Sequence, residues 1–249
     1  MEITVLIIVH HTLRNTGSII KLLKEVSPPN WELNFCIINT DRGLDESVDS
    51  LCENTDLTKI KHEKYPDIMW AEALQNFIVE NEERKNILHV NSDVELNYSA
   101  LKHELFYIDK CFSDKIFYVG LISSESGEMY GFKKYKNNHF EKSDFEDFTV
   151  FNFNFVLFKN ERIKSLLPKK PFKQAFLDYY ISMQTSQEDV LQPKRIVGID
   201  KNPQNKFKVN KNSVFYKSRV NIADSFRFYS AFRSVPYAMM LSVYLGVFK

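Results

Sequence analysis

An apolar segment followed by two acidic residues has the clearest chemistry in this sequence. Residues 87–90, Ile-Leu-His-Val, predict a buried strand. The polar residues that follow it are Asn91, Ser92, Asp93 and Glu95. Mg²⁺ and Mn²⁺ prefer oxygen ligands, and they bind one or two protein carboxylates together with substrate phosphates. Asp93 and Glu95 are therefore candidate ligands of a divalent cation, although an ordinary turn with an aspartate as helix cap has the same residues.

Alternating strands and helices are predicted around this segment. Apolar, β-branched runs predict buried strands at Thr4–Val9, Leu33–Ile38, Asn86–Val90 and Ile116–Ile122. Apolar residues at helical spacing predict helices over residues 19–26, 68–82 and 99–108. Ser99 is the expected cap of the third helix, and the polar residues 39–49 predict a loop. This order is typical of an α/β fold with a mostly parallel sheet covered by helices on both faces, which binds ligands at the carboxyl ends of its strands.

The second half of the chain has a different pattern. Residues 125–148 are polar and irregular, and Phe148–Phe158 predicts a long strand in which Asn152 and Asn154 alternate with aromatic residues. Two short helices and a last strand are predicted at 159–167, 174–183 and 195–199. Because no repeat or linker separates two units, we expect a single domain over residues 1–249.

Composition and motifs exclude several classes of protein. A chain of 249 residues with 44% hydrophobic residues is long enough to bury a core without disulfides. Cys36, Cys52 and Cys111 form no CxxC pair, which argues for a reducing compartment and against a zinc–cysteine site. No apolar stretch reaches the ~18 residues of a transmembrane helix. The P-loop and the glycine motif of dinucleotide sites are both absent.

Charge is distributed unevenly along the chain. The net charge is only +1, but residues 201–249 hold nine Lys or Arg against one acid, Asp224. Aromatic residues accompany this basic tail, most densely at residues 226–233. A basic, aromatic segment after an acidic body fits an anionic partner, either membrane headgroups or nucleic acid, and a solvated basic face is the simpler interpretation.

The order of these elements resembles glycosyltransferase family 2, whose members have the GT-A fold and use nucleotide-sugar donors. The resemblance is carried by the first two strands, the helix that contains Asn76, and the strand that ends in Asn91-Ser92-Asp93-Val94, where members have Asn-Pro-Asp-Val or Asp-x-Asp. It covers residues 1–125, and 150–235 more loosely. It implies a nucleotide-sugar-binding half, an acceptor-binding and catalytic half and a C-terminal tail, over residues 1–122, 123–210 and 211–249.

The resemblance implies donor-side roles for matched positions. Asp93 corresponds to the last Asp of the motif that holds Mn²⁺ or Mg²⁺ on the donor diphosphate, and Asn91 stands where many members have the first Asp. Ser92 replaces the usual Pro, and Glu95 is expected to add charge to the same edge. The other matched donor-side residues are His10 and His11 after the first strand, Asn39 and Asp41 after the second, and Asn76.

Transfer with inversion requires a general base, and the family uses an Asp at a helix start. The two candidates here are Asp178, in the sequence Phe-Leu-Asp-Tyr-Tyr-Ile, and Asp189, which follows Glu188. We favour Asp178 because its apolar neighbours predict a buried carboxyl group with a tuned pKa. The amides of Asn152 and Asn154 both donate and accept, which suits acceptor hydroxyls, although a half-solvated strand face has the same pattern.

These features together predict a glycosyltransferase that acts on a glycan or lipid-linked glycan of the bacterial surface, such as O-antigen, capsule or lipooligosaccharide. The tail resembles that of bacterial rhamnosyltransferase-like members, which implies a cytoplasmic enzyme, peripheral on the inner face of the plasma membrane. Nucleic acid is not an expected partner, because no recognised binding motif accompanies the tail. A scaffold with decayed catalytic residues stays open, since Asn39 and Asn91 replace family carboxylates. A nucleotidyltransferase also stays open, although Gly17 alone stands where that class has a Gly-rich loop.

Overall fold

A computed structural model of the protein describes most of the chain. The described residues are 1–9, 13, 15–41, 44–54, 60–64, 68–127, 129–136, 139–173, 177–201, 223–224 and 226–228. The candidate donor residues His10 and His11 lie outside them, as does nearly all of the tail.

Six α-helices and fourteen strands have both ends within the described part of the chain, and residues 223–224 and 226–228 are also helical. The helices are α1 (Thr16–Val26), α2 (Asp45–Asn54), α3 (Trp70–Glu80), α4 (Tyr98–Cys111), α5 (Asn160–Leu166) and α6 (Leu177–Ser182). The strands of the first half are β1 (Glu2–Val9), β2 (Glu32–Asn39), β3 (Ile60–Lys64), β4 (Asn86–Asn91), β5 (Val94–Leu96), β6 (Phe117–Val119) and β7 (Leu121–Ser124). Those of the second half are β8 (Met129–Tyr130), β9 (Phe132–Lys136), β10 (His139–Lys142), β11 (Val150–Phe151), β12 (Phe155–Lys159), β13 (Val190–Leu191) and β14 (Ile196–Asp200).

Seven strands form a central sheet in the order β13-β6-β12-β4-β1-β2-β3. Neighbouring strands are parallel except at β12, which is antiparallel to both β4 and β6. The carboxyl ends of β1, β2 and β4 therefore meet at one edge of the sheet, together with the beginning of β12. Two smaller sheets have the orders β10-β9-β11 and β5-β14-β7-β8. This architecture confirms the predicted α/β class and the mostly parallel sheet.

Helices on both faces of the central sheet explain the unbroken apolar sequence of β1. Val5 and Ile7 pack into a core with residues of α1 and α4, whereas Leu6 and Ile8 pack into a second core with residues of α3. Successive side chains of a strand point to opposite faces, so a strand covered on both faces needs apolar residues at every position.

Two predicted strands are each divided between sheets. The segment 116–122 forms β6 in the central sheet and β7 in another, with Gly120 at the crossing. A Cβ on Gly120 would lie 2.7 Å from Cδ1 of Phe155, so glycine permits this close approach. The segment 148–158 is divided into β11, which pairs with β9, and β12, which pairs with β4. The alternating sequence does not reveal the break because Phe151 and Phe153 stay in one core.

Two local predictions were also wrong. Asn97 caps α4 in place of Ser99, because the Asn97 Oδ1 accepts a hydrogen bond from the Ala100 N–H at 3.0 Å. The segment 39–49 is not a loop throughout, because α2 begins at Asp45 and buries Val48 against the sheet. A single buried residue among polar ones gives too weak a helical period to be seen in the sequence.

Candidate functional site

The carboxyl end of β4 presents Asp93 at the edge of the sheet. Asp93 is half-buried, and its backbone is held from two sides. Its carbonyl oxygen accepts hydrogen bonds from Asn15 Nδ2 at 3.1 Å and from the Lys201 N–H at 3.2 Å. The first contact comes from the start of α1 and the second from the end of β14, so both elements set the position of this carboxylate.

A second carboxylate, Asp200, lies beside Asp93. β14 runs antiparallel to β5, and this register pairs Asp200 with Val94. Burial and the negative charge of Asp200 together raise the pKa of Asp93 to about 6. Sequence reasoning missed Asp200, although it directly follows the predicted strand 195–199, just as Asp93 follows a predicted strand.

The pair Asp93–Asp200 fits a hard divalent cation. Two oxygen donors of like charge repel each other, and a bound Mg²⁺ or Mn²⁺ removes that repulsion. Within the described residues no group of three His, Cys, Asp or Glu side chains forms a fuller metal site. Glu95, the second predicted ligand, is exposed, and the Lys201 Nζ lies 3.3 Å from its Oε2. In the structure, Asp200 thus lies beside Asp93, whereas Glu95 forms an ion pair with Lys201.

Asn91 connects this edge to the second half of the chain. Its backbone N–H donates to the Asn154 carbonyl at 3.0 Å, and its Nδ2 donates to the Asn154 Oδ1 at 2.9 Å. These bonds fix the chain where it enters β12. Asn152 is bound through its backbone N–H to the Gly131 carbonyl at 2.9 Å, and its Oδ1 is buried without a hydrogen-bond partner among the described residues. The two candidate acceptor residues therefore lie in the break between β11 and β12.

Asp178 lies at the start of α6, close to this break. Burial raises the pKa of Asp178 to about 6, while the amides of Tyr179 and Phe153 and the charge of Lys133 act in the opposite direction. The Tyr179 N–H donates to the Asp178 Oδ1 at 2.9 Å. The Lys133 Nζ in turn donates to the Tyr179 hydroxyl oxygen at 2.9 Å. Because Phe153 adjoins Asn154, the structure brings Asp178 toward the edge that carries Asn91.

Asp189, the other candidate base, lies at the opposite edge of the sheet. It directly precedes β13, which is parallel to β6, and its carbonyl oxygen accepts from the Ile116 N–H at 2.8 Å, just before β6 begins. Asp93, in contrast, follows the end of β4, which has the same direction as β6. The length of the strands therefore separates Asp189 from the edge where Asp93 and Asp200 lie.

The donor-side candidates have different surroundings. Asn39 is buried at the end of β2, and its Oδ1 accepts from the Asp41 N–H at 3.0 Å, which holds the turn after the strand. Both residues lie at the same sheet edge as Asn91. Asn76 is half-buried, six residues into α3, which is about 9 Å along the helix axis from Trp70. Ser92 is buried beside Asp93.

Trp70 and His89 form a buried contact that sequence reasoning did not single out. The indole Nε1–H of Trp70 donates to the His89 Nε2 at 3.0 Å, and the His89 Nδ1 lies 3.2 Å from the Leu6 carbonyl oxygen. Burial lowers the pKa of His89 to about 4, so the ring is neutral near pH 7. Through these two contacts, the His89 ring on β4 connects α3 and β1 below the sheet edge that carries the candidate site.

A short part of the C-terminal segment packs on the domain. Phe228 is buried in the core that contains α3 and α6 residues. Asp224 is fully buried, and its Oδ1 accepts hydrogen bonds from the Lys173 N–H at 3.1 Å and from the Arg227 Nη1 at 2.6 Å. Among the described residues, none of the helices is long and apolar enough to cross a membrane.

Comparisons with known proteins identify the fold. No family model matches the chain, and no curated protein matches it in sequence. The structure is similar to a mannosyltransferase from Pyrobaculum calidifontis solved with GDP-Man and Mn²⁺, with a TM-score of 0.56 and 11% identity over 99% of this chain and 69% of that chain. It is also similar to S. aureus TarS 1–349 in complex with UDP-GlcNAc, with a TM-score of 0.56 and 10% identity over 91% and 69% of the two chains. The chain has the GT-A fold.

The structure is also similar to a protein that is named as a different class of enzyme. A protein from Bacillus anthracis, named as a glucose-1-phosphate thymidylyltransferase, matches with a TM-score of 0.51 and 12% identity over 79% of this chain and 87% of that chain. At such low identities these similarities establish the GT-A fold, and the chemistry has to be argued from the side chains at the edge of the sheet.

Proposed function

We propose that the protein is a glycosyltransferase that moves a sugar from a nucleotide-sugar donor to an acceptor hydroxyl. One observation carries this proposal: the pair Asp93–Asp200 and the half-buried Asp178 are connected through the hydrogen-bonded Asn91 and Asn154. The pair suits a cation on a diphosphate, and Asp178 suits proton transfer. Sugar transfer from a nucleoside diphosphate needs both functions.

Asp93 and Asp200 are the proposed ligands of the divalent cation. When bound, Mn²⁺ or Mg²⁺ neutralises the charge that develops on the leaving nucleoside diphosphate. Asp93 and Asp200 would supply two oxygen ligands to the cation, and the donor diphosphate and water would supply the others. Asn15 and the Lys201 amide hold the Asp93 backbone, so they keep the carboxylate at the edge before the donor binds.

Asp178 is the proposed general base. Its carboxylate takes the proton of the acceptor hydroxyl while the hydroxyl oxygen bonds to the anomeric carbon and the bond from that carbon to the diphosphate breaks. Attack from the side opposite the diphosphate inverts the configuration at this carbon. Asn154 already accepts from Asn91 through its Oδ1, so its amide nitrogen can donate to the acceptor.

The proposed acceptor is a glycan or lipid-linked glycan of a bacterial surface polysaccharide, reached at the inner face of the plasma membrane. The basic, aromatic segment 226–233 supports this proposal. Within it Phe226 is 54% exposed, whereas Phe228 is buried in the core. Phe228 therefore anchors the described residues 226–228 to the domain, beside the exposed ring of Phe226.

A thermal-shift panel of nucleoside diphosphates and nucleotide sugars, each with and without Mn²⁺, tests the donor site. A ligand at a hundredfold its dissociation constant stabilises the folded state by about 2.7 kcal/mol, which raises Tm by about 5–10 °C for a chain of this size. We expect Mn²⁺-dependent stabilisation by one nucleotide base. Asp93→Asn should abolish it, and Glu95→Gln, which removes an exposed carboxylate two residues away, should retain it. A panel without any Mn²⁺-dependent shift would contradict the proposal.

Product analysis separates this activity from the alternatives. A glycosyltransferase releases a nucleoside diphosphate from a nucleotide sugar. A nucleotidyltransferase, whose fold is also similar, instead releases pyrophosphate from a nucleoside triphosphate. A scaffold binds the nucleotide without turnover.

A further inference from the structure

A basic, aromatic cavity lies on the outer side of α4, on a face separate from the carboxylates of the proposed active site. It has a volume of about 540 Å³. Its lining includes Lys102, His103, Phe106, Tyr107, Lys110 and Arg195. The helical residues recur every three or four positions, so they form one stripe along α4, while Leu101, Leu105 and Ile108 face the core. We call this surface the α4 face.

The lysines and the arginine of the α4 face are not neutralised by the described protein, whereas the His103 Nδ1 lies 3.3 Å from the buried Glu104 Oε1. Lys102, Lys110 and Arg195 form no ion pair with any residue that the structure describes, and no acidic side chain lines the cavity. The C-terminal stretches 202–222 and 229–249 contain Lys and Arg but no Asp or Glu. An external anionic partner therefore fits this face.

A buried carboxylate holds the two sides of the cavity together. Glu104 lies on the inner side of α4, and its Oε2 accepts from the Tyr118 hydroxyl at 2.7 Å and from the Lys194 N–H at 3.1 Å. The Lys194 Nζ lies 5.5 Å from the centre of the Tyr107 ring. These contacts fix the segment that carries Arg195 against α4, so the basic side chains converge in the folded protein before any partner binds.

Exposed apolar side chains lie in the cavity and next to its lining residues in the sequence. Tyr98 is 44% exposed at the start of α4, Phe106 is 38% exposed in the cavity, and Ile196 is 42% exposed next to Arg195. They are three of the six large hydrophobic side chains that are exposed in the described part of the chain. Apolar and aromatic residues interleaved with Lys and Arg are typical of a surface that enters the headgroup region of a bilayer.

We propose that the α4 face docks on an anionic phospholipid bilayer. Lipid phosphates bind Lys102, Lys110 and Arg195, and the rings of Tyr98 and Phe106 enter the interfacial region. A soluble phosphate compound would account for the cations but not for the apolar rim, which favours the bilayer. The inference does not depend on the proposed transfer, because it concerns binding alone.

Docking by this face brings the proposed active site near the bilayer surface. β14 runs from Ile196, next to Arg195, to Asp200 at the carboxylate pair. Five residues of strand span about 16 Å, so the cation site lies within about that distance of the α4 face. An acceptor that protrudes from the bilayer is within reach of such a site.

Vesicle co-sedimentation of the whole chain tests the proposal. The probes are phosphatidylcholine vesicles with and without phosphatidylglycerol. The test variant Lys102→Gln/Lys110→Gln/Arg195→Gln is compared with a control, Lys21→Gln/Lys169→Gln/Lys170→Gln, which removes the same charge from exposed lysines elsewhere. Each basic residue near an anionic surface contributes roughly fivefold, so the test variant should lose on the order of 100-fold in partitioning. The control should keep most of the wild-type binding.

Two further measurements make the test decisive. Phe106→Ser, which keeps every charge, should weaken partitioning by about tenfold, and raising the salt should weaken the wild type. Because the exchanged lysines are exposed, their removal should leave Tm nearly unchanged. Wild-type partitioning by the test variant would overturn the proposal and point to the basic tail. Equal losses in test and control variants, or equal binding to vesicles without phosphatidylglycerol, would overturn it as well.

Discussion

Asp178 gives the proposed transfer a pH dependence that an exposed aspartate would not. Burial raises its pKa to about 6. A general base works only when ionised, so kcat/KM should rise as the pH rises through the pKa. For one titrating group, activity is about a tenth of its plateau at pH 5 and about nine tenths at pH 7. A base with the ordinary aspartate pKa of about 3.9 would retain about nine tenths of its activity even at pH 5.

The titration of Asp93 has to be separated from that of Asp178, because its pKa is also raised to about 6. Bound Mn²⁺ favours the ionised form of its ligands, so saturating Mn²⁺ moves any Asp93 titration to lower pH and leaves that of Asp178 in place. Lys133→Gln removes a positive charge that opposes the effect of burial on the pKa of Asp178. The rise of kcat/KM with pH that remains at saturating Mn²⁺ should therefore move to higher pH. Lys134→Gln is the matched control, since Lys134 pairs with Asp147 at 2.9 Å.

The assay is release of nucleoside diphosphate from the donor that the thermal-shift panel identifies, measured between about pH 5 and 8 at saturating Mn²⁺. Asp178→Asn should lower kcat by about 10²–10⁴-fold, and the activity that remains should no longer rise with pH through the pKa of Asp178. A flat profile in the wild type would refute the reasoning. The reasoning would also be refuted if the activity of Asp178→Asn rose with pH as in the wild type. The same holds if Lys133→Gln moved this rise to lower pH.

Three other substitutions test the site and its supports. Asp200→Asn should weaken Mn²⁺ binding at least ~10-fold by calorimetry and, without metal, lower the pKa of Asp93 in a carboxyl NMR titration. Tyr118→Phe should lower the free energy of unfolding in urea by about 1.5–3 kcal/mol, because the buried Glu104 carboxylate loses a hydrogen bond. Phe228→Ala should lower it by about 3–5 kcal/mol, because a fully buried ring leaves a cavity.

Each of these substitutions has a control of the same residue type or of like charge elsewhere in the described structure. Glu95→Gln should leave Mn²⁺ binding intact, because this carboxylate pairs with Lys201. Tyr107→Phe and Phe226→Ala alter a half-buried tyrosine and an exposed ring, so each should change the free energy of unfolding by less than about 0.5 kcal/mol. If the controls lost as much Mn²⁺ affinity or free energy of unfolding as the test variants, the cited contacts would not be the cause of those losses.

Local patterns in the sequence were sufficient for the central elements, and they singled out two acids of the proposed site. The apolar runs predicted β1, β2 and β4 within two residues of their observed bounds, because a strand buried on both faces has to be apolar throughout. The same pattern put Asp93 directly after a strand. The apolar neighbours of Asp178 predicted a buried carboxyl group, and the residue is half-buried at the start of α6.

Partners distant in the sequence were decided by the tertiary structure alone. Asp200 lies beside Asp93 only because β14 and β5 pair in one particular register, and strand register depends on packing across the sheet. The same holds for the bonds between Asn91 and Asn154, which form where β12 enters the sheet against β4. Asp189 had the Glu-Asp sequence that favoured it as a base, yet strand direction puts it at the opposite edge. The sequence by itself thus determined which segments are buried and which acids follow them, whereas strand order and direction determined which acids meet.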